Sequence, residues 1–344
     1  MRENFTNCFY QKPSTAQTVV KFFFYTAIFA VSSFGNMVLC FVVWRRQRLQ
    51  TVMNYFLVNL ATADLAFTII CIPFDLYVQE RGFIWPFGEG MCKLLYPLQT
   101  MTLYASVLTL CAISFSRYRA IVRPMKKQLT IRVSKCLIFC IWMAAFIMVV
   151  PYIAILQVDA ECQYCIEKWP EPALFYRRIY TLVIFFSQYF IPLSVIFCAY
   201  LRVWCALRSK REPCSPNHTR ENAKVLKMVV VLTLFFAVCL LPNHIVYLAL
   251  DFTRDGSYII HTDWIIASNF MIFLNTALDP VLYTMFNEKY RLEFKGILSV
   301  CKRADHSPKP DMFAKLIVKN EQSLINSRVI ILKSTTEKKS IYFS

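Results

Sequence analysis

Long apolar runs, broken by short polar segments, set the pattern of this chain. Seven runs can be marked, at 19–44, 54–78, 94–121, 133–156, 179–204, 225–250 and 264–285. Each is long enough to cross a bilayer as a helix, since about 20 residues at 1.5 Å rise span the hydrocarbon. Backbone groups in lipid must hydrogen-bond within their own segment, so helices and not isolated strands are expected. A weaker element follows at 287–300. There Tyr290, Phe294, Ile297 and Leu298 fall on one face, with Lys289, Arg291, Glu293 and Lys295 on the other. That spacing predicts a short amphipathic helix on the membrane surface. The expected fold is an all-α membrane protein: a seven-transmembrane helix bundle over 19–286, a polar N-terminus at 1–18 and a flexible tail at 301–344. No cleaved leader is read in the N-terminal segment, so the first run is expected both to target and to anchor the chain.

The polar segments are not equivalent. The first, third and fifth connections are rich in Arg and Lys, including Arg45, Arg46, Arg117, Arg119, Arg123, Lys126, Lys127, Arg208 and Lys210. The alternate connections are mixed or acidic, with Glu80, Glu89, Asp159, Glu161, Glu167, Asp251 and Asp255. Cytoplasmic loops carry the excess of cations, so the N-terminus is expected outside and the C-terminus inside. Asn4-Phe5-Thr6 then forms a glycosylation acceptor on the outer side. Asn217-His218-Thr219 fits the same pattern on the inner side, where it would go unused.

Composition narrows the classes. The 344 residues are 57% hydrophobic and 17% charged, against about 25% charged in soluble domains. The net charge of +17 does not point to nucleic acid, because the cations alternate with apolar runs and form no continuous basic face. With four histidines and no metal-spaced cluster or nucleophile–base set, enzymatic chemistry is not expected. A transporter is opposed by the absence of internal repeats and of paired broken helices. Of the 14 cysteines, Cys40, Cys71, Cys111, Cys136, Cys140, Cys198 and Cys239 lie inside apolar runs and read as packing residues. Cys92, Cys162, Cys165 and Cys8 lie on the expected oxidising side.

One motif per run follows in order, with one more in the connection between the second and third runs. They are Gly35-Asn36, Leu60-Ala61-Thr62-Ala63-Asp64, Trp85-Pro86-Phe87-Gly88 ahead of Cys92, Ser116-Arg117-Tyr118, Trp142, Pro192 with Tyr200, Phe236 with Cys239-Leu240-Leu241-Pro242, and Asp279-Pro280-Val281-Leu282-Tyr283. Together they resemble rhodopsin-like G-protein-coupled receptors over almost the whole of 19–300. Cys165-Ile166-Glu167-Lys168-Trp169-Pro170 is similar to neuropeptide receptors of the RFamide and neuropeptide FF kind, with orexin receptors as looser relatives.

The resemblance implies a plasma-membrane receptor that binds an extracellular peptide and activates a heterotrimeric G protein. It also implies a disulfide from Cys92 to the second outer loop. Cys165 is preferred for its neighbouring motif, with Cys162 as competitor and Cys8 as a partner for whichever remains. An ion and water network is implied around Asp64, with Asn36, Ser106, Asn275 and Asp279, where the family's pattern accommodates Na⁺; a protonated Asp64 bonded to Asn36 or Asn275 is the plainer reading. Arg117 is expected to be held in the resting state and to swing toward Tyr200 and Tyr283 on activation, with Tyr118, Phe236, Pro242 and Pro280 in the same machinery. Two departures matter. Ser116 stands where the family carries Asp, which removes a restraint on Arg117 unless Glu221 supplies one. Leu240 stands where Trp is usual, so Phe236 is left to carry any packing rearrangement.

The expected ligand cavity combines Gln99, Asp75, Tyr77, Tyr104, Glu167, Trp169, Gln188, Asn243, His244, Tyr247 and Phe270. Its acidic rim suits a basic peptide, such as one ending in Arg-Phe-amide. An amine ligand is disfavoured by Gln99, and a retinal Schiff base by the lack of Lys in the last run. The rival readings are a class A receptor for a non-peptide small molecule, or one that signals without ligand. Cys301, beside Lys302-Arg303, is a palmitoylation candidate. Ser323, Ser327, Ser334, Thr335 and Thr336 are candidate phosphorylation sites for receptor kinases and arrestin.

Overall fold

A computed structural model describes residues 15–161, 163–209, 216–252, 262–286, 290–294 and 296. Among them are seven helices long and apolar enough to cross a membrane: Thr18–Arg45, Val52–Glu80, Gly88–Val122, Ile131–Ile155, Ala173–Ala206, Lys224–Phe252 and Trp264–Phe286. These are the first to seventh spans below. All belong to one compact unit that ends at Arg291; of the following unit, 292–294 and 296 are described, as helix. The expected sites at Asn4, Cys8, Cys162 and Cys301, and those in the tail, lie outside the described residues, as does the side chain of Glu221.

The third span is the hub, packed against the second, fourth, fifth and sixth. The first closes the ring against the second and seventh. Burial grades accordingly: 61% of the second span's most apolar window is buried, but only 17% of the fourth's and fifth's, which face outward. Two spans start on threonine caps, Thr51 accepting from the Asn54 amide and Thr130 from the Val133 amide.

Two helices widen into π turns, at Phe67–Cys71 and Phe185–Phe190. Each widening ends two residues before a proline, Pro73 or Pro192. Proline has no N–H to donate and its ring crowds the carbonyl four residues back, so the turn before it opens. The extra residue turns all that follows by about 100° relative to a regular helix.

Gly35 meets Pro280 so closely that a Cβ there would lie 2.6 Å from the proline Cβ. Gly35→Ala is therefore expected to cost about 1–3 kcal/mol through overpacking. Thermal unfolding of the detergent-solubilised protein tests this; an unchanged midpoint would show that the first span can shift aside.

The sequence pattern did not anticipate the small β-hairpin that joins the fourth and fifth spans. Leu156–Val158 (β1) pairs antiparallel with Cys165–Glu167 (β2), with Leu156 opposite Glu167 and Val158 opposite Cys165. Cys92 and Cys165 form a disulfide, Cα–Cα 5.8 Å, that fastens β2 to the third span. The Trp85 amide donates to the Gln163 carbonyl at 2.7 Å and its indole to the Gly88 carbonyl at 2.8 Å. The hairpin is thus tied on two sides.

Candidate functional site

Beside the hairpin, between the spans, lies a cavity of about 680 Å³. The hairpin contributes Cys165, Ile166 and Glu167 to its lining. The π turns contribute Phe67 from the second span, and Phe185 and Gln188 from the fifth. π insertions often mark functional positions, and here both deliver side chains to one space.

Six expected ligand residues line this cavity: Gln99, Glu167, Gln188, Asn243, His244 and Tyr247. Asn269 adds a fourth side-chain amide to Gln99, Gln188 and Asn243. Gln188 anchors to the third span by donating to the Thr100 carbonyl at 3.2 Å. Asn243 reaches the seventh span by donating to Asn269 Oδ1 at 3.3 Å. His244 is buried with its ring against Phe185 and Tyr189.

The other expected residues do not line it. Asp75 follows the first π turn, and its carboxylate is taken by Gln79 Nε2 at 2.6 Å, which also reaches Tyr25 at 3.2 Å. Tyr104 is spent between spans, sharing a 2.7 Å hydrogen bond with Ser187. Trp169 donates to Glu167 Oε2 at 2.9 Å and leans on Tyr180, so it orients the acid from outside the lining. Phe270 packs toward the first span against Phe24 and Tyr25. Tyr77 lies over Phe87, under the Arg81 guanidinium.

The largest addition is an ionic cluster. Asp251, almost fully buried, ion-pairs with Arg177 Nη2 at 2.6 Å and accepts a hydrogen bond from Thr181 Oγ1; all three line the cavity. Arg178 donates to the Asp251 carbonyl at 2.8 Å and stacks on Phe252. The fifth span begins at Ala173 and the sixth runs to Phe252, so these residues are helical and not part of loops. Arg177-Arg178, at the edge of the fifth apolar run, is the signal the sequence carries for this cluster.

Deeper in the bundle, Asn36, Asp64, Ser106, Asn275 and Asp279 are all buried. Asn36 Nδ2 donates to the Ser32 and Thr276 carbonyls, at 3.0 and 3.2 Å. The Asp64 and Asp279 carboxyl groups are neighbours, close enough to interact directly. Asn36 Oδ1, Asp64 Oδ2 and Asn275 Oδ1 are buried without a hydrogen-bond partner. Unsatisfied oxygens of this kind call for a cation or water, and hard cations take oxygen donors. Among the described residues no cluster of three or more His, Cys, Asp or Glu could hold a metal ion, so any cation would rest on amide and hydroxyl oxygens as well.

At the arginine-rich end, Arg117 Nε is buried without a partner, and Ser116 beside it is buried too. Tyr200 lies within electrostatic reach of Arg117 and accepts from Ser114 Oγ at 2.8 Å. Tyr118 carries the Arg123 guanidinium over its ring. Phe236 and Leu240 are buried one turn apart below Pro242, and the Tyr283 hydroxyl is buried without a partner.

The family described as 7 transmembrane receptor (rhodopsin family) matches residues 35–283. The chain belongs to the rhodopsin family of seven-transmembrane receptors. The receptor is thus a multi-pass plasma-membrane protein of a signalling family and not an enzyme. It is 31% identical to neuropeptide FF receptor 2 of Mus musculus over 324 residues, which cover 87% of this chain and 76% of that protein. It is 32% identical to neuropeptide FF receptor 1 of Homo sapiens over 310 residues, 83% of this chain and 70% of that one.

Proposed function

We propose that the receptor binds a basic, C-terminally amidated peptide in the 680 Å³ cavity and activates a heterotrimeric G protein at the arginine-rich end. The observation that carries this is the lining itself. Two carboxylates, Glu167 and Asp251, share one space with four side-chain amides. Carboxylates pair with guanidinium, and amides suit a capped peptide terminus. The similarity to neuropeptide FF receptors points the same way.

The N-terminus and Cys92 lie outside and Arg117 inside, by the distribution of cations. Ligand shifts the population toward the state in which the inner end of the sixth span, hinged at Pro242, moves away from Arg117. The oxygens of Asp64, Asn275 and Asn36 would hold a Na⁺ ion, which supplies the positive charge that this buried carboxylate pair calls for. Receptor kinases and arrestin act on the tail, and the amphipathic segment at 287–300 lies on the membrane surface.

A panel of amidated and non-amidated basic peptides, read by a G-protein reporter, tests the ligand. Gln99→Ala and Glu167→Ala are each expected to lower potency by roughly tenfold, the scale of one hydrogen bond to a charged or buried group. A peptide response that survives both changes would remove this cavity from the account.

The unpartnered Arg117 Nε favours elevated resting activity. Ser116→Asp is expected to lower basal nucleotide exchange in membranes. Basal exchange no lower in that variant would count against the missing-restraint reading.

A further inference from the structure

A second recess opens on the lipid side of the bundle, between the third and fifth spans. It holds about 180 Å³ and is lined by Cys111, Phe115, Tyr118, Val195, Cys198 and Arg202, among others. Phe115 and Val195 are about half exposed, at 48% and 54%, although both lie within membrane spans. In a bilayer, such side chains face acyl chains, not water.

The recess is polarised along its length. Its deep end is apolar or thiol-lined, whereas Arg202 lines the end nearer the arginine-rich loops. Two aromatic residues of its wall carry cations of their own: Arg119 lies over Phe115 at 5.8 Å and Arg123 over Tyr118 at 5.7 Å. Among the described residues, none of these three guanidiniums is ion-paired with a carboxylate. An apolar slot with an arginine rim matches an anionic amphiphile, because guanidinium binds phosphate through paired hydrogen bonds.

We propose that this recess is a binding site for an acidic phospholipid of the leaflet that faces the arginine-rich ends. One acyl chain lies between the third and fifth spans, and the phosphate rests on Arg202, flanked by Arg123 and Arg119. The site abuts the switch region. Ser114, on the recess wall, donates to the Tyr200 hydroxyl at 2.8 Å, and Cys111 Sγ approaches the Pro192 carbonyl at 3.7 Å. A bound chain therefore touches the side chains that set Tyr200, which couples lipid composition to the neighbourhood of Arg117.

The test uses the full-length receptor in nanodiscs containing phosphatidylserine or phosphatidylcholine with the same photoactivatable acyl chain. Adducts are mapped by mass spectrometry. Phosphatidylserine is expected to label the peptides carrying Phe115, Val195 and Cys198 about fivefold more than phosphatidylcholine, the preference of one arginine for an anionic head group. Arg202→Gln, an exposed position, should bring the two lipids level. Ala199→Phe, which fills the recess, should suppress phosphatidylserine labelling there while leaving thermal stability unchanged. Equal labelling by both lipids in the wild-type receptor would mean an annular lipid without head-group preference and would overturn the proposal. So would phosphatidylserine labelling that ignores Arg202→Gln. Competition by soluble glycerophosphoserine would mark a plain anion site and overturn the acyl-chain assignment.

Discussion

Asp251→Asn is expected to weaken a basic peptide agonist by roughly 30-fold or more, on the scale of 2–5 kcal/mol for losing one partner of a buried charge pair. The exchange keeps the shape of the side chain and its acceptor for Thr181, so only the charge is lost. Asp251 is almost fully buried whereas the Arg177 side chain is 42% exposed. Arg177 can therefore turn toward water when its partner is neutralised, and the fold loses little. Arg177→Gln separates two roles for the pair. If Asp251 serves only to clamp the fifth span to the sixth, both variants will weaken binding alike. If Asp251 meets the ligand's cation, Arg177→Gln removes an internal competitor and potency is retained or improved. Replacing the peptide's arginine by citrulline should then mimic Asp251→Asn in the wild-type receptor and add nothing in that variant. Concentration–response curves for the three receptors with each of the two peptides settle the matter.

The contrast between Asp251 and Asp75 shows how far the chain's pattern reaches. Both are acids near the same end of a helix, and counting along regular helices places Asp75 in the cavity and leaves Asp251 in a loop. The outcome is the reverse. A π turn ahead of Pro73 rotates Asp75 toward Gln79 and Tyr25. The sixth helix continues past 250, where the apolar run ends, to Phe252, and Arg178 satisfies the Asp251 carbonyl near the helix end. Neither effect is written in hydropathy. What hydropathy does carry is the number and order of spans, since each must satisfy its backbone internally whatever surrounds it.

Side chains on stretches of helix without a π turn were legible as well. Gln99 on the third span, and Asn243, His244 and Tyr247 on the sixth, reach the cavity where regular geometry puts them. Asn36, Asp64, Asn275 and Asp279 announced themselves as polar groups at membrane depth, where burial is costly and rare. Tyr104 and Phe270 failed for another reason. Aromatic side chains find partners on neighbouring spans, Ser187 in one case and Tyr25 in the other, and single-chain periodicity carries no information about which neighbour is nearest. Trp169 illustrates a middle case: its motif drew attention to the right strand, yet the indole acts on Glu167 and not on the cavity.

Cys165→Ser is expected to abolish measurable peptide binding and to lower the thermal midpoint of the purified receptor. The disulfide closes 73 residues of sequence, for which loop-closure entropy alone corresponds to about 4 kcal/mol. The local consequence is larger than the global one. Only two short strands hold the hairpin together, and two-stranded ribbons are marginal without support. Glu167 sits two residues beyond Cys165, opposite Leu156, so releasing the crosslink frees a carboxylate that the cavity needs. Cys92→Ser and the double variant Cys92→Ser/Cys165→Ser should match the single Cys165 change, since each breaks the same bond. A markedly milder phenotype for Cys165→Ser than for Cys92→Ser would show that another cysteine, Cys162 first, takes over the bond to Cys92. Thiol labelling before and after reduction, read by peptide mass, identifies that partner, and a full rescue through Cys162 would mean that the position of Glu167 does not depend on the Cys92–Cys165 crosslink.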